Sequence, residues 1–170
     1  MLHNIRRAVI DDVDQIAKIH VDSWAEAYKG MMPKNYIESF TVERRAKLWT
    51  NIISRDLAFV MVAEDNSGVI GFLCFGQPKG YENTNNYELS SLYIAPSKYG
   101  CGVGSSLYKE CKNELSLKKA QQVKLWVLDS NQRAINFYTK HNFMPTGNSD
   151  EETVGKVVLI DLELSSKLSA

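Results

Sequence analysis

Two stretches decide how this chain folds: Tyr87-Glu88-Leu89-Ser90-Ser91-Leu92-Tyr93-Ile94-Ala95-Pro96, and just after it Tyr99-Gly100-Cys101-Gly102-Val103-Gly104-Ser105-Ser106-Leu107. The first reads as a strand, Tyr87 to Ile94, ended by Pro96, which cannot donate to a ladder. Along that strand Glu88, Ser90, Leu92 and Ile94 are expected on one face and Leu89, Ser91 and Tyr93 on the other. The second is a glycine loop. Val103, Leu107, Cys111 and Leu115 then recur at four-residue spacing, so a helix opens on the loop. A strand, a glycine loop and a helix in that order turn several backbone N–H groups outward at a helix N-terminus, which makes an anion site. Glycine suits such a loop because a side chain would block the approach of backbone to phosphate.

Upstream, Arg6 to Ile10 is expected as a short strand. Val13, Ile16, Ala17, His20, Trp24 and Ala27 then trace one face of a helix capped by Asp11 or Asp12 and stopped by Gly30. A second helix starts at Pro33 and runs through Tyr36, Ile37 and Phe40. A third passes through Leu48, Trp49 and Ile52, with only a loose capping box at Thr41. Leu57–Ala63, the turn Asp65–Gly68 and Val69–Phe75 read as a hairpin. The stretch from Pro78 to Asn86 is polar and turn-rich. Downstream, Val123 to Leu128 is a short buried strand. A last helix carries Ala134, Phe137, Tyr138 and His141 on one face with Ser130 or Asn131 as its cap, and Val154 to Leu162 closes the chain as a strand. The order is β-α-α-α-β-β-β-α-β-α-β-β, an α/β (α+β) layering of helices on one sheet.

The 170 residues suit one domain, residues 1–170. Lys plus Arg and Asp plus Glu are both 20, so the formal net charge is zero. A dedicated nucleic-acid binder shows a basic excess, and this chain has none. No apolar run approaches the ~18 residues of a membrane span, and no signal-peptide run follows Arg6-Arg7. Cys74, Cys101 and Cys111 are odd in number and lack C-x-x-C spacing, and His3, His20 and His141 form no H-E-x-x-H pattern. The expectation is a reduced, cytoplasmic protein that binds no metal, nucleic acid or membrane.

Three phosphate loops compete for Gly100–Gly104. A Walker A loop needs a Lys after its last glycine, and none follows Gly104. A dinucleotide fingerprint needs a third glycine where Leu107 stands. The third fits. The chain resembles the GCN5-related N-acetyltransferase superfamily in two blocks. One is Leu89 to Pro96 leading into Gly100–Gly104. The other is Asn131-Gln132-Arg133-Ala134-Ile135-Asn136-Phe137-Tyr138 leading to Phe143 and Gly147. The family loop is Q/R-x-x-G-x-G/A. Gly102 and Gly104 fill its glycine positions, and Tyr99 stands where Gln or Arg is usual.

The resemblance implies a mixed, splayed central sheet of six to seven strands flanked by about four helices. It implies an N-acetyltransferase, with acetyl-CoA as co-substrate and no metal, acting on a primary amine of a small molecule or peptide. Direct attack in a ternary complex and a homodimer are family-level expectations. The chemistry has a stated cost. An alkyl amine of reference pKa near 10.4 is neutral in only about one molecule in 2500 at pH 7, a deficit of roughly 4.6 kcal/mol. A general base, an oxyanion donor and a proton for the leaving thiolate are therefore needed.

The resemblance assigns these residue by residue. Tyr99, Gly100, Cys101, Gly102, Val103, Gly104 and Ser105 form the phosphate loop. The Leu92 N–H polarises the thioester carbonyl, and Leu92, Tyr93 and Ile94 pair with the pantetheine arm. Tyr138 protonates the thiolate, or is a core tyrosine. Asn131 contacts the cofactor, or only caps its helix. Glu88, eleven residues before Tyr99, is the base, a binder of cationic amine, or a solvated strand carboxylate. Trp24 and Tyr28 wall the acceptor pocket, or are aromatic core. His20 is read as a core histidine, and Asp22 and Glu26 as solvated charges. The rivals are a catalytically weak acyl-CoA-binding sensor or partner-binding module, and a nucleotide-binding protein.

Overall fold

The computed structural model describes residues 3–80 and 84–168. Its elements follow the expected order: β1 (Asn4–Arg7), α1 (Val13–Ala27), α2 (Lys34–Glu38), α3 (Val42–Ser54), β2 (Phe59–Asp65), β3 (Gly68–Gly76), β4 (Asn86–Ile94), α4 (Val103–Leu117), β5 (Gln122–Leu128), α5 (Gln132–Lys140), β6 (Met144–Val154) and β7 (Val157–Lys167). The seven strands form one sheet in the order β1-β2-β3-β4-β5-β7-β6. Only β4 and β5 pair in parallel.

Alternating side chains cover both faces. On one, Val13, Ile16, Ala17 and Ile19 of α1 and Trp49 of α3 pack on Val60, Val62, Phe72 and Cys74. On the other, the α4 stripe Val103, Leu107, Cys111 and Leu115 packs on Met61, Leu73, Leu89, Val123 and Leu125, with Phe137 and Tyr138 of α5 beside it. The stripe read from the sequence is thus the buried face of α4.

Local chemistry sets the ends. The Thr41 hydroxyl accepts the Arg44 N–H at 3.3 Å, so Thr41 caps α3 without the help of Glu43. Asn131 accepts the Ala134 N–H at 3.1 Å and caps α5. Gly30, at φ +79, follows the end of α1.

Three expectations need correction. The first strand is Asn4–Arg7 rather than 6–10, because the Asp12 carboxylate accepts the Val9 N–H and the Arg6 guanidinium, turning residues 10–12 into a 3-10 turn. The stretch Val154–Leu162 is not one strand. Gly155, at φ +63, and Lys156 turn the chain there, and two eleven-residue strands meet at Val154 and Val157. The polar stretch 78–86 contains residues 81–83, which lie outside the described residues.

The third correction concerns β4. Cys74 faces Ser91 and Phe75 faces Leu89, so Ser90 is an extra residue, a β-bulge. The bulge resets the alternation. Tyr87, Leu89, Leu92 and Ile94 all lie against the α4 core, whereas Tyr93 lies against the α1 core. Glu88 therefore does not share a face with Leu92 and Ile94, but lies on the side of Ser91 and Tyr93.

Candidate active site

The pairing of β4 with β5 covers only Asn86↔Gln122, Tyr87↔Val123 and Glu88↔Lys124. Beyond Glu88 the two strands part. The β4 edge from Leu89 to Ile94 then has no strand partner on that side, and its backbone faces a cleft of about 330 Å³. Strand edges of this kind accept an extended ligand through main-chain hydrogen bonds.

Four elements close the cleft. Leu89–Ile94 of β4 form one wall and Trp126 and Val127 of β5 the other. Ala134, Phe137 and Tyr138 of α5 face Tyr99 and Gly104 of the glycine loop, and Ser23, Glu26 and Tyr28 of α1, with Met31 beyond it, cover the far end. The Ser23 hydroxyl donates to the Ile94 carbonyl at 2.7 Å, which ties α1 to the β4 edge.

The glycine loop has the geometry its sequence demands. Gly100 and Gly102 adopt φ +77 and +79, a left-handed conformation that costs other residues energy, and Gly102 is the N-cap of α4. No side-chain group caps α4, so the N–H groups of its first turn point out of the helix end. Gly104 is close to α5 without being forced to be glycine: a Cβ there would stand 3.4 Å from the Phe137 ring, an ordinary contact. That contact seats the N-terminus of α4 against α5, and Ser105 Oγ lies 3.2 Å from His141 Nε2 to hold the two helices further along.

Tyr138, Tyr28 and Tyr93 converge on the cleft. Burial pushes the Tyr138 phenol well above the ordinary tyrosine value, with the charges of Tyr28 and Tyr108 adding to it. The Tyr28 hydroxyl is also pushed up by burial, and interacts with Tyr93 and Asn131. All three phenols stay protonated at pH 7; those of Tyr28 and Tyr93 engage each other.

The expected residues are brought together unevenly. Leu92, Tyr93, Ile94, Tyr99, Gly104, Asn131, Tyr138 and Tyr28 line the cleft. Gly100, Cys101, Gly102, Val103 and Ser105 belong to the loop and first turn behind Gly104 and do not line it. Trp24 does not line it either: its ring lies 4.4 Å from that of Phe40 and 4.5 Å from that of Tyr28, supporting the wall from behind. Glu88 sits where β4 and β5 begin to part, beside Lys124, which in turn pairs with Glu163 at 2.9 Å. Partial burial raises the Glu88 carboxyl above the usual range, Lys124 lowers it and Glu163 raises it. His20 is 5% exposed and accepts the Trp49 indole N–H on Nδ1 at 3.1 Å, a core role as read.

Sequence reasoning missed Ser23, Ser91, Trp126 and Arg133 as lining residues, and Glu26 lines the cleft rather than being only a solvated charge. Trp126 left a signal in the sequence, a bulky aromatic at the alternate position of a strand whose neighbours Leu125 and Val127 are aliphatic, and the structure leaves it 41% exposed. Among the described residues no group of three or more His, Cys, Asp or Glu is placed to hold a metal ion. Nor is any helix among them long and apolar enough to cross a membrane.

A seven-stranded sheet split at β4 and β5, with a glycine loop opening a helix beside the split, defines the acyl-coenzyme A-dependent N-acetyltransferase class. The model of the Acetyltransferase (GNAT) family matches residues 17–143, and the chain belongs to that family. It is 30% identical over 139 residues to the uncharacterized N-acetyltransferase YuaI of Bacillus subtilis (strain 168), covering 81% of this chain and 78% of that one. It is 27% identical over 145 residues to the spermidine N(1)-acetyltransferase of Thermoplasma acidophilum, covering 82% and 86%. Among solved structures, the PaiA N-acetyltransferase of Thermoplasma acidophilum in complex with coenzyme A superposes with a TM-score of 0.80, at 26% identity, over 98% of this chain and 99% of that one.

Proposed function

We propose that residues 1–170 act as one N-acetyltransferase domain that moves the acetyl group of acetyl-CoA to a primary amine of a small molecule or peptide, by direct attack in a ternary complex. The observation that carries the reading is the parting of β4 from β5 at Glu88, which leaves a free strand edge between a phosphate-ready loop and a tyrosine-lined cleft. Bound acetyl-CoA supplies the activated thioester. Loop residues Tyr99 to Ser105 hold its pyrophosphate, and the Leu92–Ile94 edge pairs with its pantetheine arm, the Leu92 N–H facing the thioester carbonyl. Asn131 holds the first turn of α5 in place by its cap. Tyr138 donates a hydrogen bond to the leaving sulfur.

The acceptor enters from the α1 end, past Glu26 and Tyr28, with Trp24 bracing the wall. Negative charge gathers there. Asp161 stands directly opposite Asp150, and its carboxyl is raised by burial and by the charges of Asp150, Glu152 and Asp129. Like charges paired across strands destabilise the sheet, and a cationic ligand relieves them. The Thermoplasma relative named for spermidine agrees with a cationic acceptor. The family-level expectation of a homodimer and the cytoplasmic location accompany this reading.

Acetyl-CoA at a hundred times its dissociation constant is expected to stabilise the fold by about 2.7 kcal/mol. A thermal melt with millimolar acetyl-CoA checks the first half of the proposal, and a flat melt rejects it. Thiol release in the presence of a panel of mono-, di- and polyamines and N-terminal peptides checks the second. Binding without turnover across that panel would favour a sensor instead.

Glu88 does not line the cleft itself but lies one residue before its wall, in the last β4–β5 pair. From there it acts as the base or as a binder of cationic amine. Glu88→Gln is expected to depress the rate most near pH 7 and to recover near pH 9, where free amine accumulates, if Glu88 is the base. A raised KM for cationic acceptors at unchanged kcat identifies a binder. Wild-type kinetics from pH 7 to 9 would remove Glu88 from the site.

A further inference from the structure

We propose that Arg133, carried on the ring of Tyr99, is the cationic clamp for the pyrophosphate of coenzyme A in this chain. The inference rests on the acetyl-CoA reading above and adds a residue to it. Position 99 begins the glycine loop but bears a phenol, which brings neither a positive charge nor an amide to an anion. The charge is supplied from α5. The Arg133 guanidinium carbon lies 3.6 Å from the centroid of the Tyr99 ring, and both residues line the cleft together with Gly104.

Three features make this more than a surface stack. Arg133 is exposed on the first turn of α5, and no carboxylate pairs with it among the described residues. Its planar fork is free to chelate phosphate oxygens, and stacking on Tyr99 fixes the plane in advance. One helical turn on, the Phe137 ring lies 3.4 Å from where a Cβ of Gly104 would stand, so the first turn of α4 sits beside α5 just past Arg133. A diphosphate resting on the α4 N–H groups then has Arg133 at its flank, and Tyr99 acts as a platform for the cation.

The test compares two acetyl donors, acetyl-CoA and S-acetylpantetheine, which has the same thioester arm but no pyrophosphate or nucleotide. Arg133→Ala is expected to lower kcat/KM for acetyl-CoA tenfold or more through KM and to leave that for S-acetylpantetheine near wild type. Tyr99→Ala is expected to lower kcat/KM for acetyl-CoA on its own and to add little in the Arg133→Ala background, because the two act as one unit. Thermal melts of the unliganded variants show that the fold is kept. Equal losses with both donors would mean that Arg133 only packs the arm or the helix, and no loss with acetyl-CoA would mean that it touches no phosphate. Either result overturns the proposal. A wild-type protein that binds no acetyl-CoA fails earlier and rejects the underlying reading instead.

Discussion

Tyr138→Phe is expected to lower kcat by roughly 10²–10⁴-fold while acetyl-CoA affinity stays near wild type. The substitution removes one oxygen and keeps the ring, whose edge contacts with Phe137 and Phe143 have centroids 5.3 and 5.4 Å apart. Stability should therefore change little. Burial holds the phenol neutral, which suits a donor and not a base. A thiol has a reference pKa of about 8.5, below that of such a phenol, so full proton transfer from Tyr138 to a thiolate would be uphill. The role that fits is a hydrogen bond strengthening as charge grows on sulfur, with the amine's proton passing on as the amide forms and the C–S bond breaks. Stopped-flow or steady-state thiol release with a good acceptor measures the effect. An unchanged kcat would remove Tyr138 from the reaction, and a collapsed melting temperature at unchanged specific activity would make it a core tyrosine.

The two blocks that were readable in the sequence are those whose information is local. Gly100 and Gly102 need a left-handed backbone, Pro96 ends a strand, and the four-residue stripe from Val103 to Leu115 is the buried face of α4, so each could be read from neighbours along the chain. The resemblance of the second block singles out Tyr138, whereas its place on one side of α5 with Ala134 and Phe137 reads equally as core; the structure puts all three on the cleft.

What stayed hidden depends on partners far away in sequence. The bulge at Ser90 exists only because β4 pairs with β3, and nothing within Tyr87–Ile94 marks it, so period-two reading put Glu88 on the wrong face. The hairpin at Gly155 reads as one strand because Val154 and Val157 to Leu159 form an apolar run on either side of a two-residue turn. Arg133 lies within the second block, yet its stack on Tyr99 joins residues 34 apart in the chain. Trp24 and Tyr28 sit one turn apart on α1 and looked equivalent. Phe40, from beyond α2, covers Trp24 and leaves Tyr28 at the cleft.

Acid is expected to weaken the fold through His20, and more steeply than its carboxylates alone would predict. Burial, with the charge of Arg45 adding to it, pulls the imidazole from 6.5 down to about 3 in the folded chain. The cause is visible. Nδ1 accepts the Trp49 N–H, the ring stacks on Tyr93 at 4.7 Å, and 5% of the residue is exposed, so a second ring proton would break a hydrogen bond and bury a charge. The unfolded chain takes up that proton near pH 6.5 and the folded chain does not, so stability falls as pH drops from 6.5 towards 3. At about 1.36 kcal/mol per pH unit the loss is roughly 3 kcal/mol by pH 4.5 and about 5 at the lower limit. His141, also lowered by burial, acts in the same direction from a more open site. Asp161 and Glu88, raised by burial, act in the opposite one. The lowered carboxyls of Asp12, Glu64 and Glu163 lose their contribution only as pH falls towards and below their ordinary values of 3.8 and 4.5. Most of their effect therefore lies below the interval from 6.5 to 4.5, and comparison with a variant that lacks the imidazole isolates the histidine. His20→Asn offers Trp49 a side-chain oxygen in place of Nδ1 and cannot titrate. Urea midpoints at pH 7 and 4.5 should show the wild type losing roughly 3 kcal/mol more than the variant across that interval. Equal losses would show that His20 protonates in the folded state at no cost.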